Sequence, residues 1–380
     1  MKIAILTTDN REHYRDYSNP VPYFGTAPEA LLQGFALIRD HEVHVVSCAR
    51  GRMKSPERLA PNIFFHSLYV PKIGWMRTVY QGCIRAVRHK LKEIRPDIVH
   101  GQGTERDCAI SAVFSGHPNV LTIHGNLRLI AQVTEAKRFS FLWLAARLEA
   151  LTIPRSGGVV CITGYTQNAV SDLAKRTWIV PNAVDSKFFD VQHQLNGSRV
   201  VLCVGNVCHR KNQVPFIRAL DEWAPKNKIK VIFLGHAPRD YPYVAEFFKL
   251  LETRPWCVYE GFADREKLKV YLQTASLLAL PSLEDNCPMV VLEAMASGVP
   301  VMAAKVGGLP ELIEEGLTGY FCDPLSSESM CQALANALSN PAATRKLAAQ
   351  AKQRALERFH PRVIAQRHLE IYGEVLNLRT

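Results

Sequence analysis

Short apolar runs rich in β-branched residues alternate with amphipathic stretches along this chain, and that alternation leaves few folds open. In the first half, Ile3–Leu6, Glu42–Ser47, Ile63–Leu68, Asp97–Gly101, Asn119–Ile123, Gly158–Thr163 and Thr177–Val180 read as strands. Helical patterns lie between them at Pro28–Arg39, Met76–Ile94, Asp107–Phe114, Thr134–Leu151 and Tyr165–Ala174. The same grammar restarts with strands at Val200–Gly205, Ile229–Gly235, Val258–Tyr259, Leu277–Leu280, Val299–Ala303 and Gly319–Phe321. Helices are expected there at Gln213–Glu222, Tyr243–Thr253, Arg265–Gln273, Val290–Ser297, Glu328–Ser339 and Ala342–Arg358. Strands that are apolar throughout and alternate with helices belong to parallel sheets covered on both faces. Two such runs predict an α/β protein of two doubly wound, Rossmann-like domains. The polar stretch Asp190–Ser198, with Asn196-Gly197, is the expected linker, giving domains of 1–190 and 191–359. A last helix over Val363–Leu376 lies past the second pattern, so 360–380 is free to pack back on the first domain.

Length supports the division, because single cores stop growing at roughly 250 to 300 residues and the chain has 380. With 47% hydrophobic and 21% charged residues the composition is globular. Ten cysteines with no C-x-x-C spacing are too sparse for a disulfide scaffold. They point to a reduced, cytoplasmic setting with no zinc cluster. No segment reads as a signal peptide or a membrane span. The formal charge is +11, and residues 51–100 carry 10 basic against 3 acidic side chains. Arg77, Arg85, Arg88, Lys90 and Lys92 cluster on one predicted helix, where Arg85, Arg88 and Lys92 share a face. Such a face suits an anionic partner, a membrane surface included, and is equally what a solvated outer helix looks like. Nucleic acid ranks last, since no aromatic–basic binding motif accompanies the charge.

Doubly wound sheets bind ligands at the carboxyl ends of their strands, and three such ends carry chemistry. After Val204 comes Gly205-Asn206-Val207-Cys208-His209-Arg210-Lys211. Gly205 lets a ligand approach the backbone closely. The two cations at the expected start of a helix suit a diphosphate. A surface Arg-Lys pair at an ordinary helix start is the plainer alternative. After Leu280 comes Pro281-Ser282-Leu283-Glu284-Asp285-Asn286-Cys287-Pro288 and a helix bearing Glu293. Carboxylates at such a place accept from vicinal hydroxyls, and the amides near Asn286 meet oxygen atoms. Helix capping alone would account for Asp285. It does not account for Glu293 among Val291, Leu292, Ala294 and Met295, where a carboxylate needs a polar partner. The third end is Ile123-His124-Gly125-Asn126; a lone histidine there is more often structural than catalytic.

The stretch from Leu277 to Pro324 resembles the signature region of the family 4 retaining glycosyltransferases, the glycogen-synthase-like group with the GT-B fold. An acidic residue, seven others and Glu293-Ala294-Met295-Ala296 are followed by Gly298-Val299-Pro300-Val301, Gly307-Gly308-Leu309-Pro310-Glu311 and Gly316-Leu317-Thr318-Gly319. Arg95-Pro96-Asp97-Ile98-Val99-His100, Thr122-Ile123-His124-Gly125 and Val180-Pro181-Asn182-Ala183-Val184-Asp185 extend the match over nearly the whole chain. The resemblance implies that Glu293 grips the donor ribose and Asp285 holds hydroxyls of the transferred sugar. It likewise implies that Arg210 and Lys211 neutralise the diphosphate, that Asn286, Cys287 and Pro288 touch the sugar, and that His124 reaches it from the first domain. The chain departs from the family pattern twice. Asp285 stands where Glu is commoner, and Tyr23-Phe24-Gly25-Thr26-Ala27 carries one glycine, Gly25, where the pattern has two.

These expectations describe a glycosyltransferase that moves a sugar from a nucleotide-sugar donor to a hydroxyl acceptor, with retention. It would need no metal or other cofactor, because two cations can stabilise the leaving diphosphate and no Asp-x-Asp follows a strand in the first half. The acceptor, whether a saccharide, a lipid-linked group or a small molecule, is not specified by the sequence. Two alternatives share the architecture: a nucleotide-sugar epimerase, and an inactive nucleotide-sugar-binding protein.

Overall fold

In the computed structural model, residues 1–194 and 199–377 are described. The chain forms two compact units, one from Met1–Ala183 with the chain from His360 on, the other from Val184–Phe359. The Val184 N–H donates to the Phe359 carbonyl at 2.9 Å, so the chain enters and leaves the second unit at one point. This entry precedes the stretch expected as the linker, of which residues 195–198 lie outside the described residues.

The first unit contains strands β1 (Lys2–Leu6), β2 (Glu42–Ala49), β3 (Arg58–Ala60), β4 (Ile63–Tyr69), β5 (Ile98–Gln102), β6 (Asn119–Ile123), β7 (Val159–Cys161) and β8 (Thr177–Ile179). They lie in the order β3-β4-β2-β1-β5-β6-β7-β8, parallel except for the edge strand β3. Alternate residues face opposite layers. Ile3, Ile5, Val43, Val45 and Val120 enter one core, whereas Ala4, Leu6, Val99 and Leu121 enter the other. Continuous apolar strands arise for that reason, since burial on both faces leaves no position for a polar side chain to reach water. Each fully buried Ile, Leu or Val contributes about 1.5–3 kcal/mol relative to an exposed one.

The second unit contains β9 (Val200–Val204), β10 (Lys230–Leu234), β11 (Cys257–Tyr259), β12 (Leu277–Leu280), β13 (Val301–Ala304) and β14 (Tyr320–Cys322). Their order, β11-β10-β9-β12-β13-β14, is that of the dinucleotide-binding fold, with the winding reversing between β9 and β12. In the first unit the reversal falls between β1 and β5.

Three local expectations change. The helix expected over Met76–Ile94 begins only at Gln81, because Val79 and Tyr80 adopt left-handed conformations (φ 51° and 58°). Its inner side buries Cys83, Ile84, Val87, Leu91 and Ile94, and Arg85, Arg88 and Lys92 are exposed. Of the helix expected over Thr134–Leu151 only Phe141–Thr152 forms, and a separate, unexpected helix, Leu127–Val133, precedes it. Between them Glu135 and Phe139 have positive φ, and the Ser140 hydroxyl accepts from the Trp143 N–H to start the second. That Ser was a readable cap. Strand β3 was not foreseen; at three residues it is too short to show a period.

The closing helix, Pro361–Asn377, packs on the helix Thr26–Ala36 of the first unit, with Tyr372 stacked on Phe35 at 6.4 Å between ring centres. Among the described residues no helix is long and apolar enough to cross a membrane.

Candidate functional site

In the second unit, the site is built at the reversal of winding, from the loops that leave β9 and β12. After β9 the chain turns through a single 3-10 turn, His209–Lys211, closed by Asn212 in a left-handed conformation (φ 60°) before the helix Gln213–Ala219. The two cations therefore precede the helix, whereas the sequence suggests that they open it. Asn212 is buried, and its amide donates to the Pro324 carbonyl at 2.8 Å, which anchors the turn beside β14. Lys211 folds back so that its alkyl stem lies 3.3 Å from where a Cβ on Gly205 would stand. The glycine thus makes room for the lysine.

Both cations converge on one carboxylate. Lys211 Nζ lies 2.6 Å from Asp285 Oδ2, and Arg210 Nη1 lies 3.1 Å from Asp285 Oδ1. Arg210 Nη1 also donates to the Glu284 carbonyl at 2.8 Å. The side chains of Lys211 and Asp285 are only 12% and 8% exposed, whereas Arg210 is half exposed. Asp285 accordingly does not cap the following helix; the helix Met289–Ser297 starts after Pro288 with no side-chain cap at all. A buried carboxylate with one cation on each oxygen is a device for holding those cations at fixed positions.

The Asp285 loop depends on a glycine that follows the neighbouring strand. Gly307, after β13, has φ +54°, and a Cβ there would sit 1.9 Å from the Asp285 carbonyl oxygen. The neighbouring Gly308 N–H donates to that same oxygen at 3.0 Å. Gly307→Ala should therefore push Asp285 off its cations and cost about 2–4 kcal/mol, from overpacking and the left-handed backbone together. Thermal unfolding checks the loss, and an unchanged melting temperature would show that the loop adapts freely.

Glu293 lies in the second turn of the helix Met289–Ser297, whose residues from Val290 to Ser297 are all buried. Burial raises its pKa to about 7; Arg265 opposes the shift and Asp185 adds to it. Arg265 and Asp185 form their own ion pair at 3.3 Å. Neither was picked out from the sequence, although Asp185 ends one of the matching motifs. Asn286 is half-buried, and Cys287 and Pro288 are buried in the same loop. A further feature went unread: exposed His236 and Phe262, after β10 and β11, stack at 4.4 Å with an interplanar angle of 12°. An aromatic directly following Gly261 at a strand end was the available signal.

In the first unit, His124 stands at the end of β6, half-buried. Its Nε2 lies 2.9 Å from Gln102 Oε1, and Asn182 gives a second side-chain hydrogen bond. Burial lowers its pKa to about 4, so the ring is neutral at physiological pH. Gly25 is exposed just before the helix Thr26–Ala36, with φ −59°, a conformation open to any residue. At the reversal of winding, Glu12 is fully buried and paired with Arg50, which the sequence reading did not single out. The remaining residues, Gly205, Arg210, Lys211, Asp285, Asn286, Cys287, Pro288 and Glu293, all belong to the second unit.

Comparisons with known proteins give the family and the fold. Residues 185–355 match the model of glycosyl transferases group 1, and residues 29–188 that of Glycosyltransferase Family 4. The chain belongs to the family 4 glycosyltransferases. This glycosyltransferase is 25% identical to N-acetyl-alpha-D-glucosaminyl L-malate synthase of Bacillus anthracis, over 89% of this chain and 90% of that protein. A match to a glycosyltransferase of Methanocaldococcus jannaschii, 27% identical, covers 46% of this chain and 44% of that one. Among solved structures, sucrose-phosphate synthase from Thermosynechococcus elongatus superposes with a TM-score of 0.78 at 19% identity, covering both chains fully. Anabaena HepE in complex with UDP-glucose superposes with a TM-score of 0.72 at 19% identity, over 98% of this chain and all of that one. The fold is GT-B.

Proposed function

We propose that this glycosyltransferase transfers a sugar from a nucleotide-sugar donor to a hydroxyl acceptor, with retention of configuration and without a metal ion. The observation that carries the reading is the convergence of Lys211 and Arg210 on Asp285 at the reversal of the second sheet. In that place two fixed cations meet the charge that grows on a departing diphosphate, the term that costs most in breaking a sugar–phosphate bond. Asp285 holds the cations before the donor arrives, and with Asn286, Cys287 and Pro288 it forms the loop that contacts the sugar. Glu293 accepts from the ribose hydroxyls. The exposed His236–Phe262 stack offers a flat apolar face on which a nucleobase can lie. The UDP-glucose bound in HepE supports a uridine donor.

In the reaction the bond from the anomeric carbon to the diphosphate oxygen breaks. The acceptor oxygen bonds to the same face of the sugar, and its proton passes to the leaving diphosphate. Neutral His124 supplies a hydrogen-bonding group to the sugar and no positive charge. In the metal-free reading Arg210 and Lys211 bring to the diphosphate the positive charge that a divalent ion would otherwise supply. Among the described residues one grouping of ligand atoms is close enough to hold a metal: Cys48, Cys83 and Asp107, buried in the first unit.

Thermal-shift measurements with UDP-, GDP- and ADP-sugars test the donor. A true donor at about 100 times its dissociation constant adds about 2.7 kcal/mol of stability, and UDP-glucose is expected to lead. Turnover with the stabilising donor should survive EDTA. Strict dependence on Mg²⁺ or Mn²⁺ would overturn the metal-free reading, and release of free epimer without transfer would favour an epimerase.

A further inference from the structure

A line of polar side chains crosses one face of the first sheet, where apolar residues would be the rule. His100 and Gln102 on β5, Thr122 on β6 and His124 directly after it alternate with apolar neighbours and so point to the same layer as Val120. The closing helix covers that layer with Tyr372 and His368. Tyr372 Oη is 2.6 Å from His100 Nδ1, and His100 Nε2 is 2.7 Å from Thr122 Oγ1. The amide nitrogen of Gln102 lies 3.1 Å from His100 Nε2 and 3.4 Å from Nδ1, and its oxygen lies 2.9 Å from His124 Nε2. His100 and Tyr372 are fully buried.

Each group in this line constrains the next. The buried Tyr372 phenol has a proton to donate, and the acceptor it meets is His100 Nδ1. Neutral His100 then carries its proton on Nε2, which donates to the Thr122 hydroxyl. With both ring nitrogens in reach at once, the Gln102 amide sits over the imidazole and not along one lone pair. That electron-rich face accepts the NH2 end of the amide and turns its carbonyl oxygen away. The oxygen is left facing His124, and it can only accept. His124 therefore presents Nε2–H to Gln102; Asn182, the other side-chain partner of the ring, carries an amide that can donate or accept and so follows the tautomer that Gln102 sets from behind.

We infer that Gln102 is a positioning residue that fixes the tautomer and orientation of His124, with His100 and, from the C-terminal helix, Tyr372 as the struts that hold it. The catalytic part of the inference rests on the reading that His124 meets the donor sugar; the positioning part does not. The helix from Pro361 is thus more than a cover for the sheet, since it carries the outermost strut of the line behind His124.

Side-chain ¹⁵N spectra of the ¹⁵N-histidine-labelled protein test the arrangement, with His124 assigned by comparison with His124→Gln. The wild-type spectrum should show His124 protonated at Nε2 alone. Gln102→Met keeps the volume and removes the acceptor. It should give a mixture of tautomers and a 10- to 100-fold loss of kcat with little change in the KM for donor. Tyr372→Phe should give a smaller effect of the same kind. Gln102→Glu, which restores an accepting oxygen, should restore the single tautomer. Thermal unfolding of each variant separates these effects from loss of fold. A single Nε2–H tautomer that persists in Gln102→Met would overturn the inference. A tautomer mixture with undiminished kcat would uphold the positioning and overturn instead the placing of His124 at the sugar.

Discussion

Glu293→Gln should make the protein more stable above neutral pH while depriving it of its donor. Burial raises the folded-state pKa of Glu293 to about 7 from an ordinary 4.5, with Asp185 adding to the shift against Arg265. Below about pH 4.5 the carboxyl is protonated whether folded or unfolded, so the group costs nothing there. As the pH rises toward 7 the unfolded chain releases the proton first, and stability declines. Above pH 7 the full penalty stands, on the order of 3 kcal/mol for a shift of this size. Glutamine removes that penalty and keeps the shape. The gain in stability of the variant should thus be large at pH 8 and vanish near pH 4, as measured by denaturant unfolding at several pH values. Donor binding should weaken by about 10- to 150-fold, because hydrogen bonds to a charged acceptor contribute about 1.5–3 kcal/mol. A residue whose removal stabilises the fold and abolishes binding is kept for its chemistry. A variant less stable than wild type at pH 8 would instead assign Glu293 a structural partner.

The pair Lys211–Asp285 should separate structure from catalysis in the same manner. Lys211→Met leaves the Asp285 carboxylate with Arg210 alone, and Arg210 is half exposed. Breaking one side of a buried pair costs about 3–5 kcal/mol when nothing else compensates, and the remaining Arg210 brings the expected loss to the lower end. Turnover should fall 10²- to 10³-fold, the usual consequence of removing one charge-stabilising donor. In the double variant Lys211→Met, Asp285→Asn, no buried charge is left unpaired, and half-exposed Arg210 keeps the Glu284 carboxylate at 3.4 Å, so most of the stability should return. Activity should not. If turnover recovers together with stability, Lys211 is a structural counter-ion and the diphosphate is held elsewhere.

The two variants also separate the enzyme from an inactive relative of the same architecture. A protein that only binds nucleotide sugars would lose affinity in Glu293→Gln, but it would have no turnover for Lys211→Met to diminish.

The sequence by itself determined the doubly wound architecture and the places where chemistry had to be sought. An apolar run such as Val200–Val204 is local information: its residues enter a sheet because every side chain in it must leave water, and the loop after it then stands at the carboxyl end of a strand. Gly205, Arg210, Lys211, Asp285 and Glu293 were legible for that reason and because their spacing matches a family pattern. The tertiary structure decided which of them meet. That Asp285 binds both cations depends on β9 lying beside β12, although 72 residues separate the end of one strand from the start of the other. Gly307 guards that loop only because β13 comes next in the sheet, and the elevated pKa of Glu293 arises from packing on every side of its helix. His100 gave no sign of a role, since a histidine in an apolar strand reads as filler. Its partner Tyr372 lies 272 residues away, and no local pattern can encode a hydrogen bond formed by a helix that returns from the far end of the chain. Residue types and periods are written in sequence; which buried polar groups find one another is settled by sheet order and packing.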